Sequence, residues 1–114
     1  MALEVQGRNA MANGFGNSAN YVFVMTSSTT KLTRDGNPVG TSISFGSASN
    51  SKVDISSNVV IEMASDETVW GIQIETAQTG GQILSKSPLS GGTETFEFGG
   101  NLIITKYELT VSNV

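Results

Sequence analysis

The chain has 114 residues, of which 16 are charged, with a net charge of −4 and neither cysteine nor histidine. That length fits one domain with a single modest core, and the missing Cys and His exclude disulfides, the usual zinc sites and Ser-His or Cys-His nucleophile pairs. The six cations, Arg8, Lys31, Arg34, Lys52, Lys86 and Lys106, are scattered singly, so the clustered positive charge that phosphate neutralisation needs is missing and no nucleic-acid partner is expected.

The chain opens on Leu3, Gly7, Ala10, Met11 and Gly14 at helical spacing, which predicts a short amphipathic helix within residues 1–16. Gly14 and Gly16 are its expected stop, since glycine tolerates the left-handed conformation at helix ends. Glu4 stands where a signal peptide would begin, and no stretch reaches the roughly 18 apolar residues of a membrane span. The expectation is a product that assembles without being secreted and has no membrane partner. Arg8 on this helix reads either as a solvated charge or as half of a salt bridge within or between subunits. The string Gly14-Phe15-Gly16-Asn17-Ser18-Ala19 matches G-x-G-x-x-A. A dinucleotide site needs a strand before that motif and a helix after it, whereas here the helix comes first, so the match is read as coincidence.

Strands with turn punctuation follow. Tyr21–Thr26 is apolar on both faces, as a covered central strand would be. Residues 28–40 read as a polar connection with an Asp35-Gly36 turn; one acid there is too few for a calcium loop. Ile43 and Phe45 point inward from the next strand, and 46–51 reads as a solvated loop. Val53 and Ile55 share a face, as do Val59, Ile61 and Met63. Residues 68–75 place Trp70, Ile72 and Ile74 on one face and Gly71, Gln73 and Glu75 on the other. Gly80-Gly81 turns the chain into the strand 82–85. Phe96 and Phe98 are expected inward on 93–98, and Tyr107, Leu109 and Val111 on the closing segment 101–111. The expected core is Phe23, Ile43, Phe45, Val59, Ile61, Trp70, Ile72, Ile74, Leu84, Phe96, Phe98, Leu102, Leu109 and Val111.

The pattern predicts an all-β fold, an antiparallel β-sandwich (jelly-roll or Ig-like) of seven to nine strands over residues 20–112 with one short N-terminal α-helix. Residues 1–114 form a single domain on this reading. Ser, Thr, Asn and Gly supply 49 of the 114 residues, so the surface is solvated by hydroxyls and amides. Disorder is excluded because 38% of the chain is hydrophobic and arranged in alternating runs.

Chemistry is sparse. Asp66 with Glu67 and Glu94 with Glu97 are the carboxylate pairs that glycoside hydrolysis could use. The first sits in a turn, and the second points to opposite faces by strand parity, so solvated acids are the favoured reading. Trp70 is either a core residue or a stacking platform for a sugar, with Tyr21 and Tyr107 similarly ambiguous; the core reading is favoured. No catalytic, cofactor or metal residue is assigned, and no enzyme activity is expected.

The opening around Gly7-Arg8-Asn9-Ala10-Met11, the segment Thr79-Gly80-Gly81-Gln82-Ile83-Leu84 and the closing Leu109-Thr110-Val111 together resemble a family of small bacteriophage virion proteins of the tail or tail-fibre type. Glu108 stands where that family has an Asp. The resemblance implies a compact β-sandwich located in the virion, made in the host cytoplasm, without enzymatic activity. It also implies a structural role at tail, tail fibre or baseplate, as a homo-oligomer bound to other virion proteins. Capsid decoration, or recognition of a host-surface carbohydrate, are the alternatives.

Overall fold

A computed structural model describes residues 4–111. One helix, α1 (Val5–Ser18), precedes β1 (Tyr21–Met25), β2 (Thr33–Arg34), β3 (Asn37–Pro38), β4 (Gly40–Ser42) and β5 (Lys52–Val53). Then come β6 (Val59–Met63), β7 (Glu67–Val69), β8 (Gly71–Glu75), β9 (Ile83–Pro88), β10 (Glu94–Phe96), β11 (Gly100–Ile104) and β12 (Leu109–Thr110). All pairings are antiparallel. One four-stranded sheet has the order β4-β1-β8-β9, and the ribbons β10-β7, β11-β6, β12-β5 and β2-β3 accompany it. Among the described residues the protein is therefore mostly antiparallel β, with one helix and no closed barrel. Four of the twelve strands among those residues are only two residues long.

The core lies against one face of the four-stranded sheet. Val22 pairs with Ile74 and Val24 with Ile72. These four side chains pack in one cluster with Val59, Ile61 and Met63 of β6 and Leu102 and Ile104 of β11. Alternation produces this: β6 reads buried, exposed, buried, exposed, buried, so a single face of the ribbon turns inward. β1 has its last four residues buried, as its two-sided apolar run requires.

The second face of that sheet departs from expectation. Gly71, Gln73 and Glu75 were expected outward, yet β8 is buried along its whole length. Residues 26–31 fold back over this face, with the Thr26 N–H donating to the Thr30 carbonyl at 2.8 Å and Lys31 bridging to Met25. The connection 28–40 is also more ordered than a polar loop. It buries Leu32 and Val39 and forms the β2–β3 hairpin, whose turn residues Asp35 and Gly36 both have positive φ, 52° and 80°, as a two-residue primed turn demands.

The helix differs from its expected form in extent and in face. It passes through Gly14 and Gly16 to Ser18, where the Ala19 N–H donates to the Phe15 carbonyl at 2.9 Å. The Asn20 side-chain amide then ties the Ser18 and Thr76 carbonyls, at 3.2 and 3.1 Å. Leu3 of the expected stripe lies outside the described residues, while Ala10, Met11 and Gly14 face solvent. The docked face is Asn9, Ala12, Asn13 and Gly16, the same i, i+3, i+4, i+7 spacing shifted around the cylinder. Sequence hydrophobicity missed it because two of its four residues are asparagines, whose amide oxygens bond to loop N–H groups. Gly14 has nothing near the position a Cβ would take, so Gly14→Ala is expected to stabilise the protein by about 0.5–1 kcal/mol through helix propensity alone. A fall in melting temperature would contradict this placement.

Four expected core residues lie elsewhere for identifiable reasons. Val69 and Ile72 both join the core cluster although three residues apart, so strand parity resets at Trp70, between β7 and β8, and Trp70 is left half-buried outside that cluster. Leu84 is exposed because the β8–β9 register skips it: Ile74 faces Ser85 while Glu75 faces Ile83, the signature of a bulge. Phe98 is 93% exposed because β10 ends at Phe96 and the alternation ends with it. Phe23 is buried, but on the second sheet face under Lys31. Phe45, Phe96, Leu109 and Val111 are half-buried, the first two packed against the core.

Candidate functional site

The loop 46–51 is not solvated throughout. Asn9 Oδ1 accepts from the Ser51 N–H at 2.7 Å, and Asn13 Oδ1 accepts from the Ala48 N–H at 2.8 Å. Arg8 Nε donates to Ser51 Oγ at 2.7 Å, which gives that half-buried arginine a local structural duty. Phe15 meets Phe45 edge-on at 5.3 Å, and Phe45 meets Tyr107 at 6.4 Å. A helix with little apolar surface is thus held in part by satisfying backbone N–H groups of one loop.

Of the two carboxylate pairs, Glu67 is committed to structure. Arg34 grips it bidentately, Nε to Oε2 at 2.7 Å and Nη2 to Oε1 at 2.5 Å, while Nη2 also donates to the Glu62 carbonyl at 2.9 Å. The Ala64 N–H donates to Glu67 Oε1 at 2.6 Å. This set pins the β2–β3 hairpin to the β6–β7 turn, where Asp66 has φ 67°. Hydrogen bonding by the guanidinium, helped by that backbone N–H, holds the Glu67 carboxyl below the usual value of 4.5, although burial opposes the shift. The same hydrogen bonds raise Arg34 above its ordinary value. A depressed folded pKa makes the stabilisation complete above about 4.5 and loses it as pH falls through the lower folded value. Glu67→Gln is expected to cost about 1–2 kcal/mol at neutral pH, trimmed by solvent around the half-open Arg34. The variant should also lose part of the acid sensitivity below pH 4.5; denaturant melts across that range check both.

Glu94 and Glu97 are exposed, Glu94 on β10 and Glu97 in the turn after it. Among the described residues no group of three His, Cys, Asp or Glu converges, and no helix is long and apolar enough to cross a membrane. The Gly14–Ala19 string lies in the last turn of α1 and its cap, ahead of β1. Asp35 and Gly36 form the tight hairpin turn already described.

Concave surfaces flank the four-stranded sheet. An open cleft of about 750 Å³ is floored by Gln73 and Glu75 and rimmed by Thr29, Thr30, Thr33, Pro38, Ile83 and Lys86. Inside it Lys31 Nζ lies 2.8 Å from Glu75 Oε2 and 3.7 Å from the centre of the Phe23 ring, and Gln73 Nε2 donates to the same carboxylate oxygen at 2.8 Å. Tyr21 stacks beside Phe23 at 4.8 Å. Lys86 Nζ donates to the Ser28 carbonyl at 2.8 Å. Sequence parity marked Gln73 and Glu75 only as surface positions.

The second concavity is a groove of about 300 Å³ between β9 and the β11–β12 connection, lined by Ile72, Pro88, Leu89, Leu102, Ile104 and Tyr107 among others. Tyr107 is fixed there by its hydroxyl against Ser85 Oγ and by its N–H donating to Asp54 Oδ1 at 2.8 Å. Trp70 lines neither concavity.

Large apolar side chains are exposed at Val5, Met11, Val60, Ile83, Leu84, Phe98 and Ile103. Val60 and Ile103 sit directly opposite each other on the outer face of the β6–β11 ribbon. Comparison with protein-family models, with curated proteins and with solved structures finds no significant match.

Proposed function

We propose that this chain is a non-enzymatic structural subunit of a bacteriophage virion, of the tail, tail-fibre or baseplate type, bound to copies of itself and to other virion proteins. The observation that carries the reading is the placement of apolar side chains on solvent-facing positions of a hydrogen-bonded β framework. Val60 and Ile103 present a paired patch on a ladder, and Phe98 stands 93% exposed on a turn. Exposed apolar groups held on rigid elements mark contact surfaces. A chain with 16 charges in 114 residues has little ionic repulsion to keep copies apart. The resemblance carried by Gly7–Met11, Thr79–Leu84 and Leu109–Val111 points the same way. As the finer fold reading we propose a β-sandwich, supported by the core between the four-stranded sheet and the β6–β11 ribbon.

Capsid decoration is the close variant, using the same exposed side chains. Recognition of a host-surface carbohydrate is the second reading, favoured by one feature: the open cleft with threonine hydroxyls around Gln73 and Glu75. Electron microscopy of purified particles, with a labelled antibody against this chain, tests the leading reading. Label on the tail or its fibres supports it, label over the head favours decoration, and particles without this chain overturn both. Retention on a glycan array, abolished by Gln73→Ala, would favour the carbohydrate reading.

A further inference from the structure

We infer that the cleft above β8 takes one neutral sugar unit, held by its hydroxyls against Gln73 and Glu75 and not by stacking on an aromatic ring. This rests on the carbohydrate reading above and names the site, the chemical class and the groups that hold it. The cleft is built on one sheet face: register sets Glu75 between Tyr21 and Ile83, and Gln73 between Phe23 and Lys86. Gln73 is 3% and Glu75 5% exposed, yet each keeps an unused acceptor. Glu75 Oε2 is taken by Lys31 and by Gln73 Nε2, whereas Oε1 of either residue accepts nothing among the described residues. No buried side-chain oxygen is left without a partner among those residues. Both Oε1 atoms therefore open onto the cleft that their residues floor.

These oxygens select a ligand that donates hydrogen bonds. An apolar occupant strips water from both and returns nothing, which costs the desolvation of each. A charged occupant of either sign meets its like, since Lys31, Lys86 and Glu75 are the charged side chains of the lining. A sugar hydroxyl donates to an Oε1 and can accept from a rim donor at the same time. Such donors are present: the Thr30 and Thr33 hydroxyls line the cleft and enter no hydrogen bond among the described residues. Lys86 Nζ directs one N–H to the Ser28 carbonyl and keeps its others. Pro38 and Ile83 give the carbon edges of a sugar ring an apolar rest. Stacking is closed off, because Lys31 Nζ sits 3.7 Å from the centre of the Phe23 ring and neither Tyr21 nor Phe23 lines the cleft. The volume of about 750 Å³ lies within the range of small-ligand sites. Its open mouth makes one unit a weak ligand, and repetition of the subunit in an assembly multiplies the hold.

Saturation-transfer NMR on the full chain tests this with the methyl glycosides of glucose, galactose, mannose and N-acetylglucosamine, beside glucuronate, glucosamine and cyclohexanol as controls. The expected result is transfer to at least one neutral glycoside, titrating in the millimolar range, and little or none to the controls. Thr30→Val combined with Thr33→Val keeps side-chain shape at two exposed positions, so the melting curve should not change. It should weaken binding about 2–10-fold for each hydrogen bond removed. Gln73→Ala should abolish the transfer, and the threonine variant decides the matter if that buried change unfolds the chain. No transfer to any neutral glycoside, equal transfer to the controls, or binding indifferent to the threonine variant overturns the proposal. A glycan array separates this site from the reading it rests on. Retention that survives both cleft variants sinks the site alone, whereas no retention on any glycan sinks the carbohydrate reading with it.

Discussion

Lys31→Met is expected to cost about 3 kcal/mol of folding stability, because it leaves a buried carboxylate without its cation. Glu75 is 5% exposed, and its Oε2 is held by Lys31 Nζ at 2.8 Å and by Gln73 Nε2 at 2.8 Å. The amide alone cannot offset a desolvated negative charge. Methionine keeps much of the aliphatic packing across the Phe23 ring, so the loss isolates the charge. The double variant Lys31→Met with Glu75→Gln should recover most of the stability, since removing both charges removes the penalty. Denaturant melts of the two single variants and the double form the cycle. A single-variant loss under about 1 kcal/mol, or additive losses in the double, would mean that Glu75 is well solvated.

Gly71→Ala is expected to destabilise by about 2–3 kcal/mol, the usual cost of forcing added volume into packed structure. A Cβ at Gly71 would stand 2.1 Å from the Ser87 carbonyl oxygen and 2.7 Å from the Pro88 Cα. Both are backbone atoms of β9, which pairs Pro88 with Gly71, so no rotamer change relieves the clash and the strand itself must move. The neighbouring Leu89 N–H donates to the Trp70 carbonyl at 2.9 Å, and that bond would stretch as β9 shifted. Placed beside Gly14→Ala, the same chemical change should have opposite signs at two glycines of one protein. Equal effects at both sites would contradict the tight approach of β9.

Much of the β pattern was legible because alternation is a local property. Val59, Ile61 and Met63 announce an inward face whatever their partner, and the Asp35-Gly36 pair announces a turn through its own backbone freedom. Legibility failed where geometry changed inside an apparently regular run. The register slip that leaves Leu84 on the outside depends on which β8 residue meets it, and the parity reset at Trp70 depends on β7 pairing with β10 while β8 pairs with β1. The helix attachment was hidden for a different reason. Asn9 and Asn13 are polar, and only the position of the Ala48 and Ser51 N–H groups turns them into anchors.

By itself the amino-acid sequence determined that this is a β-rich chain with one helix at its start, low in charge, and without the histidine and cysteine on which much site chemistry depends. Those properties are additive over residues or repeat with short period, so they need no knowledge of distant neighbours. Tertiary structure alone decided that Gln73 and Glu75 are buried beneath Lys31, that Arg34 clasps Glu67 across 33 positions of sequence, and that Phe98 projects while Phe96 packs. Each of these outcomes depends on which segment folds over which face, a long-range choice that neither hydropathy nor spacing encodes.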